Sequence, residues 1–192
     1  MRRRLTGFAT LESELYPKRL ALMKEAVPGL NKVGVIISSL DPAGRLHSVD
    51  DAGRALGMTF VPGQIDRPED IDGVFERFAQ VGVKAAIDIS GGLGTFMARE
   101  RIAALAIEKR MARSSLPSSA GASELLSYGV DVPAHFKRAA TLVDRILKGA
   151  KPADLPVEQV NVYELVVNLR TARALGIELP RSLMLQATRV IE

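Results

Sequence analysis

The sequence predicts an α/β fold of three layers: a parallel sheet with helices on both faces. Three observations carry this expectation. The stretch Asn31 to Pro42, NKVGVIISSLDP, holds Val33, Val35, Ile36 and Ile37 in a short run without polar alternation, bounded by Pro28-Gly29 and by Ser38 to Pro42. A run of this kind suits a strand buried on both faces. Strand-like runs then alternate along the chain with helical patterns of about three turns, the signature of βαβ units. Of the 192 residues 47% are apolar, enough to build the core of one domain.

The first ten residues show no pattern, and Thr6-Gly7-Phe8 reads as a strand end or connector. A helix follows from about Glu14 to Val27, with Pro17 in its first turn and a stripe of Leu15, Leu22, Met23 and Ala26. After the opening strand, Leu46, Val49, Gly53 and Leu56 recur at helical spacing between Pro42 and Gly57, and Met58 to Val61 is a second strand. Asp66 to Asp70 starts a third helix, with acidic residues where the dipole favours them and Ile71, Val74, Phe75 and Phe78 on its buried face. Lys84 to Ile89 is the third strand. The loop Ser90-Gly91-Gly92-Leu93-Gly94 leads into a helix from about Thr95 to Lys109, with Ile102, Leu105 and Ala106 facing inward. Arg113 to Ser123 is a weak strand or a loop, and Leu125 to Tyr128 a short strand. The helix Pro133 to Leu147 shows one apolar stripe, Phe136, Ala139, Ala140, Val143 and Leu147, with Gly149 beyond its end. Lys151 to Gln159 is an extended connector and Tyr163 to Leu169 a final strand. Thr171 to Leu175 is a short helix, and Leu179 to Glu192 a tail that adds a turn or strand.

Composition excludes several functions. Cysteine is absent, so there is no disulfide, thiol nucleophile or cysteine metal site. The net charge of +4 and pI of about 9.6 come from 26 basic residues interleaved with 22 acidic ones, and only Arg2-Arg3-Arg4 forms a run. With no tryptophan and sparse aromatics, this is not a nucleic-acid surface. No apolar run approaches the ~18 residues of a membrane span. Glu12 and Glu14 interrupt the start before any apolar segment forms, so it does not read as a signal peptide.

No catalytic constellation emerges and no cofactor is implied. The SGGLG loop either makes a tight βα turn or brings backbone to an anion; it lacks the lysine of a P-loop, and Met97 stands where a dinucleotide fingerprint needs its third glycine. Ser90 fails the G-x-S-x-G elbow because Asp88 occupies the first position. His47 and His135 read as solvated, with no partner spaced for a metal. The productive signal is a rim: Ser38, Ser39 and Asp41 follow the first strand, and Asp88 and Ser90 end the third. On adjacent parallel strands these groups either hydrogen-bond a small polar ligand or cap the following helices.

The segments LTGFATLESELYPKRLALMKEAVPGLNKVGVII, LLSYGVDV and FKRAATLVDRILKGAKPADLPVEQ…YELVVNLRTARALGIELP resemble the uncharacterised solute-binding proteins of ABC-type importers, which have the two-lobed type I periplasmic-binding fold. The resemblance implies a non-enzymatic binder of a small solute, such as an amino acid or small organic acid, that serves an ABC permease in the periplasm. It places Tyr128 at the hinge, joining Ser38, Ser39, Asp41, Asp88 and Ser90 as ligand-binding residues. It also implies that 1–128 and 151–192 form one α/β lobe, while 129–150 is a helix docking on the other lobe. Met1 to Arg4 stand where hinge glycines and an asparagine are expected, so the chain reads as a second lobe shortened at its start, cytoplasmic if complete. Relatives carry an asparagine and proline after the first strand, proline-rich sequence after the third, and an apolar strand where this chain has Arg113 to Ser123. The helix Pro133 to Leu147 is then expected to fold back on its own lobe or pair with a second copy through Phe136, Ala140, Val143 and Leu147. The alternative reading is a cytoplasmic small-molecule sensor, since the same lobes occur beside DNA-binding modules.

Overall fold

The computed structural model describes residues 5–9, 12–41, 43–90, 95, 97–117, 123–159 and 162–192. In chain order the elements are β1 (Gly7–Ala9), α1 (Glu12–Ala26), β2 (Lys32–Ile37), α2 (Ala43–Ala55), β3 (Thr59–Gln64), α3 (Asp70–Gln80), β4 (Ala85–Asp88) and α4 (Arg99–Glu108). There follow β5 (Ala112–Ser115), β6 (Leu126–Val130), α5 (Val132–Leu147), a short 3₁₀ turn (Pro152–Asp154), β7 (Val157–Gln159), β8 (Tyr163–Asn168), α6 (Leu169–Leu175), α7 (Arg181–Gln186) and β9 (Arg189–Ile191).

Seven strands form one sheet in the order β3-β2-β4-β5-β6-β8-β9, and β1 pairs with β7 in a separate parallel ribbon. From β3 across to β6 every neighbouring pair is parallel. The first of these strands in sequence, β2, lies between β3 and β4, as its unbroken apolar run requires. The strand order therefore reverses at β2 and β4, the crevice where open α/β sheets receive ligands.

Helices cover both faces. Val33 and Val35 point to one side, into a core with Leu20 and Met23 of α1 and Val49 of α2. Ile36 points to the other, with Phe75 and Phe78 of α3 and Ile102 of α4. Glycine decides how closely α3 approaches. A Cβ on Gly34 or Gly63 would lie 2.6 or 2.5 Å from the Phe78 ring, so the two bare strand positions let that ring lie against the sheet.

The structure corrects the sequence reading in several places. The sheet is not parallel throughout: β8 runs antiparallel to β6, with Tyr163 opposite Val130, and β9 follows β8 in parallel. The route explains this, because after α5 and β7 the chain re-enters the sheet from the end at which β6 finished. Of the strand or loop left open from Arg113 to Ser123, Ala112–Ser115 is a strand, β5, paired on both sides and buried along its length, while 118–122 lie outside the described residues. Pro17 falls inside α1 rather than in its first turn. The third helix starts at Asp70, whose carboxylate accepts the N–H groups of Asp66 and Arg67. The tail forms both a helix, α7, and a strand, β9. The SGGLG glycines, Gly91 to Gly94, lie outside the described residues.

Helix α5 begins on an Asp131 cap, whose carboxylate takes the Ala134 N–H at 3.0 Å. Its apolar stripe divides in two. Leu142 is buried, Ala139 is half-buried, and the half-buried His135 ring meets Phe8 of β1 edge-on at 5.9 Å, so His135 is not the solvated residue its position suggested. Phe136, Val143 and Leu147 are 74%, 53% and 82% exposed, with Ala140 exposed between them. The fold-back therefore uses one side of α5 and leaves the other uncovered. Each large apolar side chain buried is worth about 1.5–3 kcal/mol, so covering this face, as the expected pairing with a second copy would do, is favourable. We expect sedimentation of the chain to show a concentration-dependent dimer that Phe136→Glu weakens; a monomer at roughly 100 μM, well above the affinity of an ordinary interface, would refute the pairing.

Candidate functional site

The carboxyl ends of β2 and β4 place five of the expected residues, Ser38, Ser39, Asp41, Asp88 and Ser90, on one rim. Ser38 and Ser39 leave β2 in a turn that Asp41 closes by accepting the Ser38 N–H at 2.7 Å. The carboxylate of Asp66, just past β3, reaches back to this turn, accepting the Ser38 hydroxyl at 2.9 Å and the Ser39 N–H at 2.7 Å. Gln64 donates a further bond to it. These donors, led by the Ser39 backbone, hold the Asp66 carboxyl down at about 2. Asp41 is also bound by Arg45 at 3.1 Å, and the same guanidinium donates to the Ile89 carbonyl at 2.9 Å. Arg45 thus ties the turn after β2 to the end of β4.

Asp88 closes β4. Its carboxylate accepts the Ser90 N–H at 3.0 Å in a local turn. Burial pushes the acid up to about 6, against the opposing pull of the Arg113 and Arg19 guanidinium groups, with the Asp41 carboxylate adding to the rise. Asp88 and Ser90 line a small pocket with Leu15, Tyr16 and Arg19 of α1 and Leu116 beyond β5.

Beneath this rim lies a buried polar seam. Arg19, enclosed against the Tyr16 ring, donates one Nη2 to the carbonyls of Asp88 at 2.9 Å and Ser114 at 3.2 Å, joining α1 to the ends of β4 and β5. Arg113 and Glu124 form an ion pair at 2.9 Å with both side chains 2% exposed. The Ser115 and Ser127 hydroxyls approach to 3.5 Å across β5 and β6.

Tyr128 stands apart from the other expected residues. On β6, two strands from β4 and so about 10 Å away, it is half-buried, and its ring stacks on Tyr163 at 6.1 Å. Burial raises its phenol. The structure therefore brings together Ser38, Ser39 and Asp41, links them through Arg45 to Asp88 and Ser90, and leaves Tyr128 at the far end of the rim.

Sequence reasoning missed Arg19, Arg113, Glu124 and Asp66. Arg19 had a signal: it lies four residues from Leu15 and three from Leu22, a charge on the apolar side of its helix. Asp66 had none, since the Ser38 and Ser39 groups that it holds lie 28 and 27 residues back.

A sequence model of the family described as "ABC transporter substrate binding protein" matches residues 3–191. No curated protein matches the sequence. Among solved structures, a conserved domain protein from Vibrio cholerae is similar at 21% identity and a TM-score of 0.84, over 96% of this chain and 62% of its own. An ABC domain in complex with L-Trp from Streptococcus pneumonia is similar at 20% identity and a TM-score of 0.80, over 92% and 62%. A ligand-free, open substrate binding protein with adhesive properties from Clostridium difficile follows at 15% and 0.68, over 97% and 62%. The chain thus spans 62% of the length of each.

Two predictions follow from the seam and the pocket. Removing one partner of a buried pair strands the other, so Glu124→Gln is expected to cost about 3–5 kcal/mol in urea unfolding, and a loss below ~1 kcal/mol would contradict it. For Asp88 the folded acid titrates above its ordinary value, so the folded chain gains stability at low pH and loses it as pH rises through about 6. Asp88→Asn is therefore expected to stabilise the chain on the order of 2 kcal/mol at pH 7.5 and by nothing below about pH 3. A gain that persisted at low pH would show that charge is not its source.

Proposed function

The chain belongs to the ABC transporter substrate binding protein family, and from that premise we propose that it is the solute-binding component of an ABC-type importer. The family is one of binding proteins, not enzymes, and it implies a small-molecule solute and an ABC permease as partners. The observation that carries the reading is the family match across residues 3–191. The geometry agrees with it: parallel strands finish at one rim, and polar side chains collect there at the strand-order reversal.

In this reading the lobe supplies one wall of a cleft that closes by hinge motion around the solute. Ser38, Ser39, Asp41, Asp88 and Ser90 present the polar contacts of that wall, and Tyr128 with Tyr163 marks the hinge side. The permease-facing role places the protein in the periplasm. No helix among the described residues is long and apolar enough to cross a membrane. The solute is a small polar molecule of the amino acid or organic acid class; the solved relative from Streptococcus pneumonia holds L-Trp.

A thermal-shift screen of the chain against amino acids and small organic acids tests this. A single wall with a Kd of about 1 mM gives about 1.4 kcal/mol at ~10 mM ligand, or roughly 3–6 °C in a chain of this size. The shift is expected to saturate and to fall in Ser90→Trp, which fills the pocket. A flat profile across the whole panel would defeat the solute-binding reading.

A further inference from the structure

Arg113 has more donors than partners. Its Nη2 donates to the Glu124 carboxylate at 2.9 Å, and both side chains are buried. A guanidinium carries about five N–H donors. The Nε and Nη1 of Arg113 are also buried and have no hydrogen-bond partner among the described residues. Donors left in that state cost free energy, which an acceptor within reach would recover.

Such an acceptor lies on the adjoining strand. In the parallel pairing of β4 with β5, Ala86 stands opposite Arg113, and alternation along β4 puts Asp88 on the same face as Ala86. Asp88 is thus one strand over and two residues along, roughly 8 Å between backbones, a span an extended arginine side chain covers. Its carboxylate accepts the Ser90 N–H at 3.0 Å, which does not fill its lone pairs. The other charges near Asp88 are already placed. Arg19 of α1 directs its Nη2 to the Asp88 and Ser114 carbonyls, Arg45 of α2 holds Asp41 and the Ile89 carbonyl, and Asp41 repels. Of the two guanidinium groups that pull on Asp88, Arg113 pulls the harder.

We infer that Arg113 is a cation shared between two carboxylates: with Nη2 kept on Glu124, one of its spare donors turns to Asp88 when that acid ionises. The chain Glu124–Arg113–Asp88 then crosses the interior from the start of β6 to the end of β4. Glu124 lies just before β6, the strand that carries Tyr128. A change of charge at the rim is thereby passed to the strand at its far end. The part this link plays in solute binding rests on the reading above; the link itself does not.

The test is an NMR titration of the intact chain with no solute added. The carbon-13 signal of the Asp88 carboxyl gives its midpoint, and hydrogen exchange of the Arg113 guanidinium protons reports their bonding. Corrected for the intrinsic effect of pH, protection of an Arg113 proton is expected to rise about tenfold as pH passes upward through the Asp88 midpoint. Asp88→Asn, a variant expected to gain stability at neutral pH, should abolish that rise. Protection that stays flat across the midpoint, or that rises equally in Asp88→Asn, overturns the inference. A flat solute panel beside a titrating Arg113 defeats the solute-binding reading and leaves the link standing. A solute response beside a flat Arg113 does the reverse.

Discussion

The structure depends on a polar strand held at the centre of an apolar sheet. β5 carries Arg113, Ser114 and Ser115 where a doubly covered sheet ordinarily places valine or isoleucine, and each residue is buried. Such a strand persists only if its charge is neutralised, because an unpaired buried charge costs more than a domain can spare. Glu124 neutralises Arg113, and Arg19 reaches from α1 to the Ser114 carbonyl. Through that guanidinium the same helix also grips the end of β4. The position of the Asp88 pocket therefore follows from how the polar strand is satisfied.

Around the pocket the loops brace one another. Asp66 fixes the turn after β2 from the neighbouring strand, and Arg45 bridges that turn to Ile89. Ser38 and Ser39 consequently have much of their hydrogen-bonding capacity engaged within the lobe before any solute arrives. In the proposed binding role they would hold the rim in shape as well as meet the solute, which lowers the entropy lost when a ligand docks. Asp88 carries a burden of desolvation that the pull of Arg113 and Arg19 and the bond from the Ser90 N–H only partly offset.

What was legible in the sequence divides along the same physical line. β2 and the stripe of α1 could be read because burial there is wholly apolar, with Leu15, Leu22, Met23 and Ala26 all inside. The rim at Ser38 and Asp88 followed from the strand ends alone. β5 was obscured because its burial is polar, and hydropathy patterning has no means of foreseeing a partner such as Glu124 eleven residues on. The stripe of α5 was legible as a stripe, yet the pattern did not reveal that Leu142 would take the inner position while Phe136 stayed outside. Antiparallel entry of β8 was equally hidden, since direction in a sheet is set by the route of the preceding chain.

The ribbon of β1 and β7 has a consequence for the order of assembly. Each strand is only three residues long, and Gly7 meets Val157 across almost the whole polypeptide. So short a pairing returns little energy, while closing so long a loop is entropically costly until the intervening sheet has brought its ends together. Zipping of this seam is thus a late step in folding, and its amides are the ones that should exchange with solvent hydrogen first.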